Sequence, residues 1–382
     1  MPDVLIWGDT IRSPALRHEI PLAVGDPFLY LEAGGTRAVV TNALEVDRIA
    51  AVAPGVELLL GEELGLDELI ARGLPRSVVM REVDVRAVAR LGIGVATVPP
   101  EFPLALADRL REEGVELRTD DELFDERRRR KTADELAGIR RATNAGLAGL
   151  DEAARALRDA QIDGDLLRLD GEVLTSEAVR ARIREVCARH GAPAPEDIIV
   201  APMRPGDAVG HEAGRGPLPA HAPVCVDLWP QDEVSGCWSD MTRTWVRGDI
   251  SDAIGDLHGL VMDAHERSCA AVRPGRPGVE IYGIACDVFE AAGHPTQRTK
   301  APGESLRHGF FFGLGHGVGL EVHEAPGLGR SGKDPLIAGD VVAVEPGTVD
   351  PVHGGMRVED LLLVTEDGAA NLTASRSYDL VP

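Results

Sequence analysis

The sequence predicts an α+β protein with two domains, an α/β domain at residues 1–126 and a larger domain at residues 127–382. Up to about residue 125, short apolar runs alternate with helix-like stretches, as in small α/β domains. A charged break follows. The rest of the chain then has its helices first and most of its strands later, which is the order expected of an α+β domain with an antiparallel curved sheet.

In the first domain, five apolar runs are predicted as strands: VLIWG, PFLYLEAGG, RAVVT, VELLL and SVVM. Helix-like stretches lie among them, namely LDELIARGL and ADRLREEG. This part has one histidine, His18, and no cluster of metal-ligating residue types. We interpret it as a scaffold and substrate-gating domain.

The second domain is predicted to open after a solvated basic connector at residues 127–131. Thr132 and Glu135 form a capping box, and apolar residues follow at helical spacing, so a long amphipathic helix starts here. Three more helices are predicted at about Ser176–His190, ending at Gly191, and at about Ile254–Val272 and Val279–Ala292. The predicted strands are DIIVAP, APVCVDLWP, CWSDMTRTWVRG, GHGVGLEVHE, DVVAVEPGTV and GMRVEDLLLVT.

The composition argues against several classes of protein. The formal net charge is −23, so nucleic acid and anionic membrane surfaces are poor partners. No apolar run is long enough to span a bilayer, and the N-terminal residues lack the features of a secretory signal. The five cysteines have no CxxC spacing and resemble reduced, buried thiols. We therefore expect a cytoplasmic protein that binds neither membranes nor nucleic acid.

Five residues carry the functional prediction. Asp227, Asp240, His316, Glu345 and Glu359 each lie in an apolar strand or a Gly-rich turn. Burying four carboxylates together is costly unless positive charge compensates them. Two divalent metal ions would do so. One strand-end carboxylate by itself is more often a cap or an ion-pair partner, but five such residues together favour a two-metal hydrolase.

The donor types also bear on the metal. Oxygen-rich ligand sets favour Mn²⁺, Fe²⁺ or Co²⁺ over Zn²⁺, although availability decides in the cell. We expect Mn²⁺. A helical HExxH zinc protease is excluded because Pro326 follows His323 closely and Gly327 stands where the second histidine would be needed. No GxSxG serine elbow is present.

Several longer blocks resemble the M24 metallopeptidases, which have the pita-bread fold. They are HEAGRGPL, SDMTRTW, HGFFFGLGHGVGLEVHEAP, GDVVAVEPG and GGMRVEDLLLVTEDG, within residues 131–380. The segment GDTIRSPALRHEIPL resembles a creatinase-type N-terminal domain. This layout is typical of Xaa-Pro dipeptidases (prolidases) and Xaa-Pro aminopeptidases. The resemblance implies hydrolysis of small proline-containing peptides and a homodimer.

The resemblance also implies a role for each site residue. Asp227 would bind one metal ion, Asp240 and Glu359 would bridge both, and His316 and Glu345 would complete the second.

The same resemblance implies four catalytic residues. Glu345 would also shuttle a proton from the nucleophilic water to the leaving nitrogen. His323 and His211 would hydrogen-bond the substrate carbonyl, and Arg357 would orient the carboxylates.

One feature departs from the family pattern. Trp229 stands where the family usually has Gly, and the hairpin between Asp227 and Asp240 is longer than usual. Ligation by both aspartates is still expected, because the change lies in the loop between them. Trp229 and Trp238 are predicted to pack in the core in preference to lining the pocket.

Three functions stay open at this point. The first is a peptidase, either a dipeptidase or an aminopeptidase. A dipeptidase needs a cation for the substrate carboxylate, and the sequence offers Arg215, Arg298 and Arg307. The second is a hydrolase of this family with repurposed chemistry, creatinase-like or acting on another small nitrogenous substrate. The third is a non-catalytic binding module, which would be expected to lose ligands.

Overall fold

The computed structural model describes residues 2–207, 210–374 and 377–382. They form two compact units. One contains the chain up to Arg128 together with Val234–Gly236, and the other contains Arg129–Glu233 and Cys237–Pro382. In these described ranges, no helix has both the length and the hydropathy needed to cross a bilayer. The domain boundary predicted between residues 126 and 127 stays a prediction.

Between residues 2 and 129, the structure has six strands and six α-helices. The strands are β1 (Val4–Gly8), β2 (Phe28–Ala33), β3 (Thr36–Thr41), β4 (Glu57–Leu60), β5 (Val95–Val98) and β6 (Glu116–Thr119). The helices are α1 (Pro14–Glu19), α2 (Val46–Val52), α3 (Leu66–Ala71), α4 (Arg76–Arg90), α5 (Leu104–Glu112) and α6 (Asp121–Arg129), with a 3₁₀ turn at Glu62–Leu64.

These six strands form one mixed sheet in the order β4-β3-β2-β1-β5-β6. Apolar side chains cover both faces, because neighbouring residues of a strand point to opposite sides. On β1, Leu5 belongs to one buried cluster and Ile6 to another. The strand predicted at SVVM is wrong, since residues 77–80 lie in α4. Val79 and Val83 are both buried there, and their spacing of four fits a helix face.

The second unit contains four long helices and thirteen strands among its described residues. The helices are α7 (Ala133–Asp159), α8 (Ser176–Arg189), α9 (Asp252–Ala271) and α10 (Gly278–Ala291). The strands are β7 (Gln161–Asp163), β8 (Leu166–Leu169), β9 (Glu172–Val173), β10 (Ile199–Pro202), β11 (Pro223–Leu228), β12 (Met241–Val246), β13 (Gly315–Gly317), β14 (Glu324–Leu328), β15 (Val341–Val344), β16 (Gly347–Asp350), β17 (Gly354–Arg357), β18 (Asp360–Val364) and β19 (Ala369–Asn371).

All four predicted helices are confirmed: the start of α7 is as predicted, and both ends of α8, α9 and α10 lie within two residues of the prediction. The predicted capping box is present at the start of α7, where the Thr132 side chain accepts from the Glu135 backbone and the Glu135 side chain accepts from the Thr132 backbone. Ser251 caps α9 and starts that helix two residues earlier than predicted. His190 ends α8, and Gly191 follows with a φ of 73°, a conformation that glycine adopts without strain.

The strands of the second unit pair in antiparallel fashion, as predicted. One sheet has the order β10-β11-β12, another has the order β14-β13-β15-β18-β19, and β16 pairs with β17. Strand β15 is buried on both faces: Val342 and Val344 lie in the cluster formed by α9 and α10, while Val341 lies with Ile139 of α7.

Three predicted continuous strands are each divided in two. GHGVGLEVHE yields β13 and the start of β14, and DVVAVEPGTV yields β15 and β16. GMRVEDLLLVT yields β17 and β18, which belong to different sheets. The chain changes sheets at Val358 and Glu359. The prediction that Arg357 and Glu359 share one strand is therefore wrong.

The solvated connector predicted at residues 127–131 is also wrong. Arg129 forms a two-point ion pair with Asp340 at 3.0 and 2.8 Å, and both side chains are buried. Lys131 pairs with Glu324 at 2.8 Å, again with both side chains buried. A basic run in sequence does not reveal that folding buries Arg129 and Lys131 against acidic partners.

Candidate metal centre

The first two predicted ligands lie at the ends of neighbouring strands. Asp227 is near the end of β11 and stands opposite Thr242 in the β11–β12 register. Asp240 directly precedes β12. Both carboxylates are buried, with 7% and 5% of their residues exposed. Antiparallel pairing therefore brings together two residues that a hairpin separates in sequence.

The other three predicted ligands come from the larger sheet and its connections. His316 lies on β13, Glu345 directly follows β15, and Glu359 lies between β17 and β18. The neighbouring strands approach each other closely at Gly315. A Cβ atom there would lie 1.9 Å from the carbonyl oxygen of Ala343, so only glycine fits and His316 is carried close to β15.

The structure brings all five predicted ligands together. Candidate donor atoms lie within 4.8 Å of one another in three overlapping groups. The groups are Asp227, Asp240 and Glu359; His316, Glu345 and Glu359; and Asp240, His316 and His323. Because Glu359 belongs to the first two groups, it lies between two adjacent positions that could each hold a divalent ion.

The electrostatics of the carboxylates fit a cation site. Burial raises the pKa of Asp227, Asp240 and Glu359, and it raises the pKa of Glu345 to about 7. Nearby negative charge raises the pKa values of Asp240, Glu345 and Glu359 further. Arg357, which pairs with Asp227, is the cation that opposes these shifts. One guanidinium against four carboxylates leaves an excess of negative charge that metal ions would neutralise.

Two buried carboxylate oxygens provide a further test of whether the site suits a metal ion. Asp227 Oδ1 and Asp240 Oδ1 have no hydrogen-bond partner among the residues that the structure describes. Buried carboxylate oxygens are normally satisfied, and an unpaired one is costly. Oxygen donors of this kind suit hard divalent cations, so the residues present fit a metal ion.

His316 is suited to be a neutral ligand. Its Nε2 atom lies 3.7 Å from Asp240 Oδ2 and 3.6 Å from Glu345 Oε1. These distances would suit ion pairs, but burial, together with the nearby His323, lowers the pKa of His316 to about 4. The imidazole is therefore uncharged near neutral pH, which is the form that binds metals.

The two further histidines lie at the same site. The rings of His323 and His316 meet edge to face, with their centroids 4.2 Å apart. His323 and His211 are both exposed, and both line the cavity that contains the ligands. Their nitrogens are therefore accessible to a molecule bound there.

The cavity has a volume of about 1430 Å³. Its lining includes the aromatic residues Trp229, Phe311 and Phe312. The sequence did not predict the two phenylalanines as lining residues, and it favoured core packing over pocket lining for Trp229. Trp238 instead packs against the cluster that contains Ile139. The sequence feature that could have indicated Phe311 and Phe312 is the Phe-rich block directly before the Gly-rich turn at His316.

Among the residues that the structure describes, three arginines line this cavity. Arg204 pairs with Asp207 at 2.9 Å, and Arg357 pairs with Asp227. Arg215 has no ion-pair or hydrogen-bond partner among the described residues. Arg298 lies elsewhere and pairs with Asp287 and Glu290, and Arg307 is not among the described lining residues. Of the three arginines proposed for a substrate carboxylate, Arg215 is the one at the site.

The site is a buried carboxylate–histidine cluster in a large cavity, and its donor groups could hold divalent metal ions. The sequence profile described as metallopeptidase family M24 matches residues 137–366. The chain belongs to this family.

Curated relatives match one segment of the chain. The Xaa-Pro dipeptidase of Pyrococcus furiosus is 36% identical over 135 residues, which is 35% of this chain and 35% of that protein. Uncharacterized peptidase YqhT of Bacillus subtilis is 37% identical over 142 residues, or 37% of this chain and 36% of that protein. These matches span about a third of the relatives' length.

Solved structures resemble the whole fold. An Xaa-Pro dipeptidase from Bacillus anthracis superimposes with a TM-score of 0.79 at 23% identity, covering 100% of this chain and 94% of that one. An X-Pro aminopeptidase from Thermotoga maritima gives 0.76 at 20% identity, covering 98% and 96%. The predicted fold, a pita-bread domain with a smaller α/β N-terminal domain, is thereby confirmed.

Proposed function

We propose that this protein is a two-metal peptidase that hydrolyses the Xaa-Pro bond of dipeptides or of peptide N-termini. The observation that carries the proposal is the convergence of five ligand side chains on overlapping donor groups in a chain of metallopeptidase family M24. The names of the Pyrococcus furiosus and Bacillus anthracis proteins, both Xaa-Pro dipeptidases, support the choice of bond.

Five residues would hold two divalent ions, for which Mn²⁺ is our first choice: Asp227, Asp240, His316, Glu345 and Glu359. When bound, the ions supply a water-derived nucleophile at neutral pH and polarise the scissile carbonyl. Asp240 and Glu359 belong to shared donor groups, which supports bridging by both.

The other steps belong to side chains of the protein. Glu345, half-buried at the cavity wall, accepts a proton from the attacking water and returns it to the leaving nitrogen. That nitrogen leaves poorly until it is protonated. His323 and His211 donate hydrogen bonds to the carbonyl oxygen as negative charge develops on it. Arg357 holds Asp227 through their ion pair.

Arg215 bears on the length of the preferred substrate. A dipeptide presents a carboxylate directly after proline, and Arg215 is a cation on the cavity wall without a protein partner in the described part of the chain. A charge-assisted hydrogen bond to that carboxylate favours dipeptides over longer peptides. We therefore propose dipeptidase activity ahead of aminopeptidase activity.

The experiment is hydrolysis of an Xaa-Pro dipeptide and a matched Xaa-Pro-Yaa tripeptide by protein stripped with chelator and reloaded with Mn²⁺. Preferential cleavage of the dipeptide is the expected result. Preferential release of the first residue from the tripeptide would instead make the protein an aminopeptidase. If neither peptide is cut while two metal equivalents are bound, the peptidase proposal is wrong and a hydrolase acting on another small nitrogenous substrate replaces it.

A further inference from the structure

A second charged cluster lies directly behind the metal-site carboxylates. Arg243 and Asp360 are buried, with 1% and 0% of their side chains exposed, and their Nη2 and Oδ1 atoms are 2.8 Å apart. Arg243 is on β12 next to Thr242, and Asp360 follows Glu359 in the chain. Because neighbouring strand residues point to opposite faces, Arg243 lies on the side of β12 away from Thr242.

Thr242 and Arg243 together hold Glu359 at three points. The Thr242 hydroxyl donates to Glu359 Oε2 at 2.8 Å, and the Glu359 backbone N–H donates to the Thr242 carbonyl at 3.1 Å. Nη1 of Arg243 donates to the Glu359 carbonyl at 2.7 Å and to the Thr242 carbonyl at 2.9 Å. The position of this carboxylate is thus set by two consecutive residues of β12.

Asp360 in turn fixes the guanidinium. Its carboxylate accepts from the Thr373 hydroxyl at 2.8 Å, from the Asn371 amide at 2.5 Å and from the Tyr378 hydroxyl. The Tyr378 ring lies beneath the guanidinium, 4.5 Å from its centre. With so many partners on each side, neither member of the pair has freedom to move.

We propose that Arg243, held by Asp360, is a positioning residue for the metal centre, which keeps Glu359 where its carboxylate serves both ion positions. Glu359 lies where the chain passes from β17 to β18, so strand pairing does not hold it on both sides as it would within a sheet. The Arg243 guanidinium, by donating to the Glu359 carbonyl, supplies a contact that strand pairing does not provide there. This inference rests on the proposed metal centre but is independent of the substrate.

Lysine is the informative replacement at this position. It keeps the charge, but it lacks the planar fork that reaches two carbonyls and one carboxylate at once. Groups that orient ligands from behind typically contribute 10- to 100-fold to metal affinity. We expect R243K to weaken binding of Mn²⁺ at one of the two positions at least about tenfold.

Arg129 provides a matched control. It also makes a buried ion pair with an aspartate, Asp340, at two points, and it donates to a carbonyl, that of Pro335. Neither Arg129 nor Asp340 belongs to a candidate ligand group. R129K should therefore lower the free energy of unfolding as R243K does, but leave Mn²⁺ affinity within about twofold of wild type.

The test measures Mn²⁺ binding to full-length protein by the loss of the free-ion EPR signal, with urea unfolding of the stripped proteins alongside. A selective loss of one Mn²⁺ equivalent in R243K supports the inference. Wild-type affinity in R243K, or an equal loss in R129K, would overturn it. If wild-type protein binds no Mn²⁺, both this inference and the proposed metal centre are wrong, whereas normal binding without peptide cleavage affects the proposed function alone.

Discussion

At the scale of single residues, Glu345 is assigned two duties that mutation can separate. It belongs to a candidate ligand group, and it lines the cavity where substrate would bind. Gln keeps one carbonyl oxygen for a metal ion but cannot carry a proton back and forth. Glu345→Gln should lower kcat by at least about 10² with little change in KM. Stopped assays on protein verified to hold two metal equivalents would check this, and a variant retaining a tenth of the activity would disprove the shuttle.

Arg215 is the residue whose role depends on substrate length. Arg215→Gln should raise KM for an Xaa-Pro dipeptide about tenfold, the effect of losing one charge-assisted hydrogen bond at a solvated site. KM for the tripeptide should stay nearly unchanged. Arg204→Gln is the matched control, since Arg204 already pairs with Asp207. Equal effects on both peptides would show that Arg215 does not contact a terminal carboxylate.

Asp84, far in sequence from every proposed ligand, governs a pH effect on stability. Burial raises its pKa to about 7, although the Trp7 indole donates to its carboxylate at 3.0 Å. In the unfolded chain the pKa is about 3.9. The folded pKa is the higher one, so this contribution to stability is full below about pH 4 and is lost as pH rises through 7.

Asp84→Asn should remove that loss, because the amide is never ionised and its oxygen can still accept from Trp7. The variant should gain stability over wild type at pH 8, by up to about 4 kcal/mol for a three-unit difference in pKa, and gain little at pH 4. Urea unfolding at both pH values measures the two differences. A gain of the same size at both would mean that ionisation of Asp84 is not the cause.

At the scale of elements, one glycine controls how β13 lies against β15. Gly315→Ala would place a methyl group 1.9 Å from the Ala343 carbonyl oxygen, so the strands must separate at a cost of about 3 kcal/mol or more. Gly327, on the paired strand β14, has open space around it. Gly327→Ala should be neutral or slightly stabilising. Thermal unfolding of both variants would reveal the contrast, and equal melting temperatures would contradict the close approach.

Sequence patterns predicted the helices better than the strands, for a physical reason. A capping box and a trailing glycine mark the ends of a helix locally, as at Thr132 and Gly191. The strand GMRVEDLLLVT appears continuous, yet it divides at Glu359 because β17 pairs with β16 while β18 pairs with β15. Partner choice is a long-range property that no local pattern records.

The same distinction separates what was predicted of the site from what was not. Ligand types in apolar surroundings identified the five carboxylate and histidine positions that the fold brings together. The residue that positions Glu359 from behind, Arg243, was not predicted, because in the sequence it looks like an ordinary polar residue of an alternating strand. Only the tertiary structure places its guanidinium against the Glu359 carbonyl.

At the scale of the whole molecule, binding of metal at the proposed centre would be linked to folding. The ligands come from strands or strand ends far apart in the sequence, so the unfolded chain offers no preformed site. Metal at 100 times its dissociation constant would add about 2.7 kcal/mol of stability. We expect the melting temperature of stripped protein to rise by about 3 °C on addition of Mn²⁺. A melting temperature independent of Mn²⁺ from micromolar to millimolar would contradict a centre assembled by folding.

The passage of the chain from one sheet to another at Glu359 has a consequence for the lifetime of the protein. Without cations, four buried carboxylates repel one another where β12 meets the β17–β18 junction, so this junction would open more often than it does with metal bound. Proteases cut such transiently opened segments in proportion to how often they open. We therefore expect metal starvation to shorten the protein's half-life as well as to abolish its activity. Metal supply would then set how much protein is present.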